Sequence, residues 1–221
     1  RLYLSIARPD SLFITDLQEK FQTAGIEVEN SNLGQLPETT WFHYPSDYLG
    51  DIVHSLNVRS DNLYAESVLR LLSLSAHEKG SAEKGIDIIR KYWQNYEADS
   101  LELFMYDGSG LARNNKVSAK YLNCVLKETA RDSLIGEYFV QTLPLAGKEG
   151  SVATFMKHGE LPGELRLKSG SMSDVHAYAG YYTTPQNRYA IVVMINNYTC
   201  TRAQLKQKIS TLLTQVLSKK E

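Results

Sequence analysis

Three successive runs near the end of the chain, Glu164 to Met172, His176 to Thr184 and Tyr189 to Asn197, have the apolar patterning and length of strands. The Pro185-Gln186-Asn187 turn joins the last two as a hairpin. Directly after them, Thr201 to Ser218 reads as one amphipathic helix, with Leu205, Ile209, Leu212, Leu213, Val216 and Leu217 on a single face. A small antiparallel sheet closed by a terminal helix must bury one face against that helix. Upstream of it the pattern is mainly helical, so the chain as a whole is α+β: a helical cluster, then an antiparallel sheet backed by a C-terminal helix.

The helical part divides at its turn residues. Leu2 to Ala7 alternates like a strand and Pro9 ends it. Asp10 or Ser11 can cap a helix carrying Leu12, Phe13, Leu17, Phe21 and Ala24, stopped by Gly25. Glu29 to Thr40 reads as a loop and Trp41 to Tyr44 as a short strand. Pro45 and Ser46 open a helix through about Leu56. A second helix runs from Asp61 to about Leu74, burying Leu63, Val68, Leu69, Leu71 and Leu72. A third runs from Ser81 to Tyr96, with Ile86, Ile89, Tyr92 and Trp93 turned inward. Leu101 to Tyr106 reads as a strand ending in the Asp107-Gly108-Ser109-Gly110 turn. Ser118 to about Ala130, Leu134 to about Gln141 and the short Ser151 to Lys157 are further helices.

Composition excludes several classes. With 24 basic and 25 acidic residues the net charge is −1, and no basic stripe offers a nucleic-acid surface. The longest apolar run, Ala190 to Ile195, is far below the roughly 20 residues that span a bilayer, so no transmembrane segment is expected. Arg1 to Asp10 lacks the charged start and long apolar core of a signal peptide. Cys124 and Cys200 show no CxxC or Cys/His ligand spacing and are expected to be buried, unbridged thiols. No metal and no cofactor are expected; the 14 tyrosines are scattered and need none to explain them.

Two short motifs carry chemistry. Ser60-Asp61-Asn62 falls where a loop enters a helix, a junction that fixes side chains yet leaves them open to a cleft. There a serine hydroxyl can relay a proton, and an asparagine amide, both donor and acceptor, can grip a peptide backbone. The same tripeptide also reads as a plain helix N-cap. Lys168-Ser169-Gly170-Ser171 lies within a strand, so Lys168 and Gly170 share one face, and Ser169 and Ser171 the other. A strand glycine often marks close approach by a ligand. Lys168 would supply positive charge, and the hydroxyls would bind a terminal carboxylate in bonds worth about 1.5–3 kcal/mol. Alone, the run is equally a polar edge strand whose lysine deters aggregation. His43, His54, His77, His158 and His176 form no ligand pattern. His176 follows the lysine strand and could border the cleft, but surface or structural roles account for all five. Asp107 could be catalytic, although Asp-Gly is first a turn signal.

Ser-x-Asn followed by Lys-Thr/Ser-Gly are two of the three motifs of penicillin-interacting serine enzymes. Their flanks are equally specific. Arg59-Ser60-Asp61-Asn62-Leu63-Tyr64-Ala65-Glu66, the run Tyr106 to Asn115, and the stretch from Leu143 through Lys168-Ser169-Gly170-Ser171 to Tyr181 resemble the low-molecular-mass class C penicillin-binding proteins. These are D-alanyl-D-alanine carboxypeptidases and endopeptidases that trim peptidoglycan stem peptides outside the cytoplasm, in the periplasm or its equivalent. The resemblance covers the chain from end to end, with the motifs in family order. It implies the C-terminal part of a β-lactamase-like transpeptidase domain over 41–221, with 1–40 the end of an inserted subdomain and its connection. It also implies roles: Ser60 as proton relay, Asn62 as ligand of the substrate amide, and Lys168 as electrostatic tuner. Ser169 and Ser171, flanking Gly170, would bind the substrate carboxylate, and the Ser171 N–H would supply half of an oxyanion hole. The partners implied are stem peptides and β-lactams. The run Asp107 to Gly110 matches a family segment without an assigned chemistry.

One element departs from the family. The single Ser-x-x-Lys, Ser81 to Lys84, follows the Ser-Asp-Asn motif instead of preceding it, and opens a helix with polar residues. The nucleophile's lysine must lie one helical turn from its serine in a desolvated place. Ser81 is therefore expected to be an N-cap, and the nucleophile to lie outside this chain. Two readings remain: the C-terminal part of a serine carboxypeptidase that is inactive by itself, or a peptide-binding module that has lost its nucleophile.

Overall fold

The three C-terminal strands form one antiparallel sheet in a computed structural model that describes residues 8–28, 45–76, 79–96, 102–156 and 161–219. The strands expected at Leu2 to Ala7 and Trp41 to Tyr44, the whole expected loop from Glu29 to Thr40, and His43, His77, Lys157 and His158 lie outside the described residues. The chain divides into two compact units, Arg1–Pro45 and Ser46–Glu221.

In the first unit, α1 (Pro9–Thr23) starts earlier than expected. Its N-cap is Arg8, with proline at the first helical position, where the missing N–H costs nothing. Asp10 and Ser11 are inside the helix, not before it. Leu12, Phe13 and Leu17 are exposed.

The second unit begins with α2 (Leu49–Arg59) and α3 (Asn62–Ser75), separated only by Ser60 and Asp61. The first of these starts three residues after the expected Ser46 and runs past Leu56, because Pro45 to Asp47 stay outside the helix and the extended Tyr48 is the N-cap. On α3 the buried stripe is narrow. Leu69 and Ser73 are buried, whereas Leu63 and Leu71, expected inside, are exposed. α4 (Ala82–Trp93) packs against α3, with Gly85 and Ile86 buried and Tyr92 turned outward, contrary to expectation. Ser81 is its N-cap, accepting from the Lys84 N–H at 3.1 Å, so this serine is committed to capping.

The expected strand before the Asp-Gly turn shrinks to β1 (Leu103–Phe104), paired with β2 (Lys116–Val117). Then follow α5 (Ala119–Arg131), α6 (Gly136–Thr142) and a single 3₁₀ turn at Gly150–Val152 in place of the expected short helix. The main sheet has the order β3 (Glu164–Met172), β4 (Val175–Thr183), β5 (Arg188–Asn196), all antiparallel.

Alternation along the sheet splits the core in two. Leu165, Leu167, Tyr178, Tyr182 and Ile191 face α7 (Arg202–Leu217), which contributes Leu205, Ile209, Leu213 and Leu217. The opposite face carries Tyr181 against Leu126, Val140 and Leu143 of α5, α6 and the segment after it. The contributing α7 residues recur at intervals of four, so Leu212 and Val216, expected on the same face, stay half exposed. No disulfide joins Cys124 and Cys200, and both are half-buried rather than buried.

Candidate active site

The site forms where the α2–α3 junction meets β3. Ser60 is the C-cap of α2 and adopts the left-handed conformation (φ 55°, ψ 52°). Asp61, next in line, is the N-cap of α3: its Oδ1 accepts from the N–H groups of Leu63 and Tyr64 at 2.9 and 3.1 Å. The N-cap role expected for this tripeptide thus falls on Asp61 alone. Ser60 is left out of the cap and points its hydroxyl elsewhere, while Asn62 opens the first turn of α3, exposed to solvent.

Lys168 lies on the face of β3 expected from its register. Its Nζ donates to Ser60 Oγ at 2.7 Å, linking segments 108 residues apart, and to the Ser169 carbonyl at 2.9 Å. Burial pushes the Lys168 ammonium below the ordinary lysine value. A cation donating into the lone pair of a hydroxyl turns that hydroxyl's own proton outward. A hydroxyl so placed can give its proton away and take another from the cation beside it.

Ser169 projects from the other face and donates to Ser151 Oγ at 2.7 Å. Ser151 is not among the residues the sequence points to, since nothing in a local pattern reveals which strand a turn serine will meet. Its place is set by the preceding glycine. A Cβ at Gly150, whose φ is +50°, would lie 2.1 Å from the Val58 carbonyl. The 3₁₀ turn therefore presses directly on the end of α2, two residues before Ser60. α2 is held from the side as well, by Asn57 Nδ2 donating to Thr142 Oγ1 at 2.9 Å.

Gly170 and Ser171 are exposed at the end of β3. A Cβ on Gly170 would meet only the Ala177 Cβ, at 3.9 Å, so nothing among the described residues demands glycine there. The half of β3 before Lys168 is bound along its outer edge by the 144–146 segment: Leu167 N–H donates to the Pro144 carbonyl at 3.0 Å and Ala146 N–H to the Leu165 carbonyl at 2.8 Å. From Lys168 onward that edge has no strand partner among the described residues.

His176 pairs with Ser171 across the sheet but is buried at 2% exposure on the α7 side, not bordering the cleft. Its ring packs edge-on against Tyr178, and neither nitrogen has a hydrogen-bond partner among the described residues. Burial, then the nearby charges of Lys206 and Arg202, hold its pKa below the usual histidine value. Glu66, one turn along α3 from Asn62, accepts from the Gly108 and Ser109 N–H groups, both at 3.0 Å. Asp107 accepts from Gly110, Ala112 and Asn115 within the same loop. Burial alone would raise its carboxyl; the bonds from Asn115, Ala112 and Gly110 outweigh that and hold it below the usual value. Asp107 is thus spent on folding its own loop, as a turn residue should be.

Residues 1–219 match the model of the D-Ala-D-Ala carboxypeptidase 3 (S13) family. Among curated proteins, the D-alanyl-D-alanine carboxypeptidase DacB of Haemophilus influenzae is 25% identical over 221 residues, 96% of this chain and 46% of that protein. The D-alanyl-D-alanine carboxypeptidase of Actinomadura sp. (strain R39) is 25% identical over 193 residues, 82% of this chain and 36% of its own length. The crystal structure of penicillin binding protein 4 (dacB) from Haemophilus influenzae shares the fold with a TM-score of 0.76 at 23% identity, over 96% of this chain and 50% of that one. The chain spans about half the length of these proteins, or less.

Proposed function

The chain belongs to the D-Ala-D-Ala carboxypeptidase 3 (S13) family, and from that membership we propose that it is the C-terminal part of a serine-type D-Ala-D-Ala carboxypeptidase or endopeptidase acting on peptidoglycan stem peptides in the periplasm or an equivalent compartment. The attacking serine belongs to a Ser-x-x-Lys outside this chain. It forms an acyl-enzyme with loss of the terminal D-alanine, and water then releases the peptide. β-Lactams acylate the same serine.

The observation that carries this reading is the 2.7 Å bond from Lys168 Nζ to Ser60 Oγ. In the proposed reaction the leaving amine of D-alanine must gain a proton as the C–N bond breaks. Ser60 delivers it and Lys168 restores it. Asn62 holds the backbone amide of the peptide. The free edge of β3 receives the substrate as an added strand, with the Ser171 N–H donating to the developing oxyanion. Ser169, held by Ser151, and Ser171 bind the terminal carboxylate. Gly170, where none of the described residues demands a glycine, leaves room for the substrate backbone. Residues 1–40 are the end of an inserted subdomain in this reading.

Labelling by fluorescent penicillin tests it. The intact protein takes up label and releases D-alanine from a pentapeptide, and both are lost in a Ser60→Ala, Lys168→Ala double variant that still unfolds cooperatively. The isolated 221-residue chain takes up none. A labelled isolated chain, or an intact double variant acylated at the normal rate, sinks the assignment. An intact protein that binds stem peptides but never acylates is instead the peptide-binding module.

A further inference from the structure

A concave site lies between α4 and α5, built from none of the residues of the candidate active site. It is a groove of about 340 Å³. Its floor is aliphatic, from Leu72 of α3, Ile88 and Ile89 of α4, and Ile135 before α6. One wall is aromatic. Tyr92 and Trp93 meet edge to face at 5.1 Å, Trp93 and Tyr96 tilt together at 5.1 Å, and Tyr92 and Tyr96 at 5.6 Å. The hydroxyls of Tyr92 and Tyr96 lie 3.3 Å apart. Glu128 and Asp132, from α5 and its C-cap, also line the groove.

Each component has a physical reading. Tyr92 is 52% exposed and Tyr96 38%, so the rings at the end of α4 and just after it face outward. Fixed aromatic rings attract a cation within about 6 Å of their centroids. The carboxylates add charge of the right sign. Glu128 is engaged by Arg131 at 2.7 Å, but Asp132 has no cationic partner among the described residues. Its Oδ1 accepts from Leu134 and Ile135 N–H, bonds that hold its carboxyl below the usual value and so keep it ionised through mildly acid pH. The two carboxylates reach the ring wall electrostatically: the Tyr96 hydroxyl is pushed up first by its bond with Tyr92, with Glu128 and Asp132 adding to it.

We propose that this groove binds an alkyl primary ammonium, its charged head between the Tyr92–Trp93–Tyr96 rings and Asp132 and its methylene stem on Leu72, Ile88, Ile89 and Ile135. A neutral sugar fits worse, because hydroxyls laid on an aliphatic floor would lose their hydrogen bonds. A carboxylate or phosphate would meet two like charges. The free diamine and the lysine side chain share the required chemistry.

Calorimetric titration of the intact protein with cadaverine and, separately, with Nα-acetyl-lysine N-methylamide tests the site. Saturable binding of either, with 1-pentanol failing to bind, is expected. Asp132→Asn keeps the capping oxygen and should weaken binding by about threefold to tenfold, with loss of most of its salt dependence. Tyr92→Ala should weaken it by about tenfold, whereas Tyr92→Phe, which keeps the ring, should bind nearly as the parent. Penicillin labelling of Asp132→Asn should be unchanged, so failure here leaves the acyl-transfer assignment standing. Equal binding of 1-pentanol, equal affinity of Asp132→Asn and Tyr92→Ala with the parent, or binding of N-acetylglucosamine oligomers without binding of either amine would overturn it.

Discussion

The carboxylate of Glu66 takes the backbone N–H of Gly108, and with it that of Ser109, so that one side chain of α3 fastens a loop more than 40 residues downstream. The glycine is required by the packing. A Cβ at 108 would lie 2.6 Å from the Ala65 carbonyl. The Tyr106 to Asn115 run, which has a family resemblance but no chemistry, thereby gains a structural role as the brace of the helix that begins at Asn62.

Removing the brace should show as lost stability. Glu66→Ala strands two partly buried N–H groups and should cost about 1–3 kcal/mol. Glu66→Gln keeps one acceptor oxygen and should recover much of this. Gly108→Ala should be at least as damaging as Glu66→Ala. Denaturant unfolding of the three variants checks the order; a Glu66→Ala protein as stable as the parent would break the explanation.

Lys168 should set a pH limit. Burial lowers its pKa, so it loses its proton at a lower pH than an ordinary lysine, whose value is about 10.4. The alkaline limb of acylation in the intact protein should fall correspondingly early. In Lys168→Arg, which stays charged, that limb should move upward even though the altered head reduces the rate. An alkaline limb unmoved by Lys168→Arg would take this ammonium out of the titration.

His176 should make the fold acid-sensitive. Its folded pKa is depressed, so the unfolded chain binds the proton more readily between that value and about 6.5. Stability therefore rises with pH through this window and is lost on acidification below about 6.5. His176→Phe fills the space beside Tyr178 and removes two unpaired buried nitrogens. It should flatten the dependence and leave the neutral-pH midpoint unchanged or higher. Thermal melts from about pH 7.5 to about pH 5 would decide, and an equally steep loss in His176→Phe would assign the sensitivity elsewhere.

The docking of α7 can be tested by position. Ile209 is 2% exposed and Leu212 53%. Ile209→Ala should cost about 2–5 kcal/mol through the cavity it leaves, whereas Leu212→Ala should fall within about 0.5 kcal/mol of the parent. Similar losses at both sites would mean that the helix sits on the sheet with a different face.

That contrast also marks how far the sequence can be read. The main-sheet strands and the terminal helix stand out because period and turn residues agree, and their ends fall within about one residue of expectation. Leu212, Leu63 and Tyr92 are exposed against expectation because an apolar residue at roughly helical spacing does not reveal how wide the covered stripe is; only the neighbouring element decides that. α1 starts early because Pro9, which looks like a stop, stands at the first helical position. Ser60 and Lys168 are legible as a pair only through their flanks, and the structure brings them together. Asn62 makes no hydrogen bond to them. Ser151 and the buried setting of His176 leave no local trace, since both arise from contacts between distant segments.

The left-handed backbone of Ser60 has a consequence for how this position can vary. A non-glycine residue in that conformation carries a penalty of about 1–2 kcal/mol, and it is what stops α2 and α3 from merging into one continuous rod. Glycine at 60 would relieve the chain and give a sturdier protein, yet it would leave the Lys168 ammonium with nothing to donate to but the neighbouring carbonyl. Robustness and the proposed proton delivery thus make opposed demands on a single site, and a screen for heat tolerance alone would drift toward the residue that removes the hydroxyl.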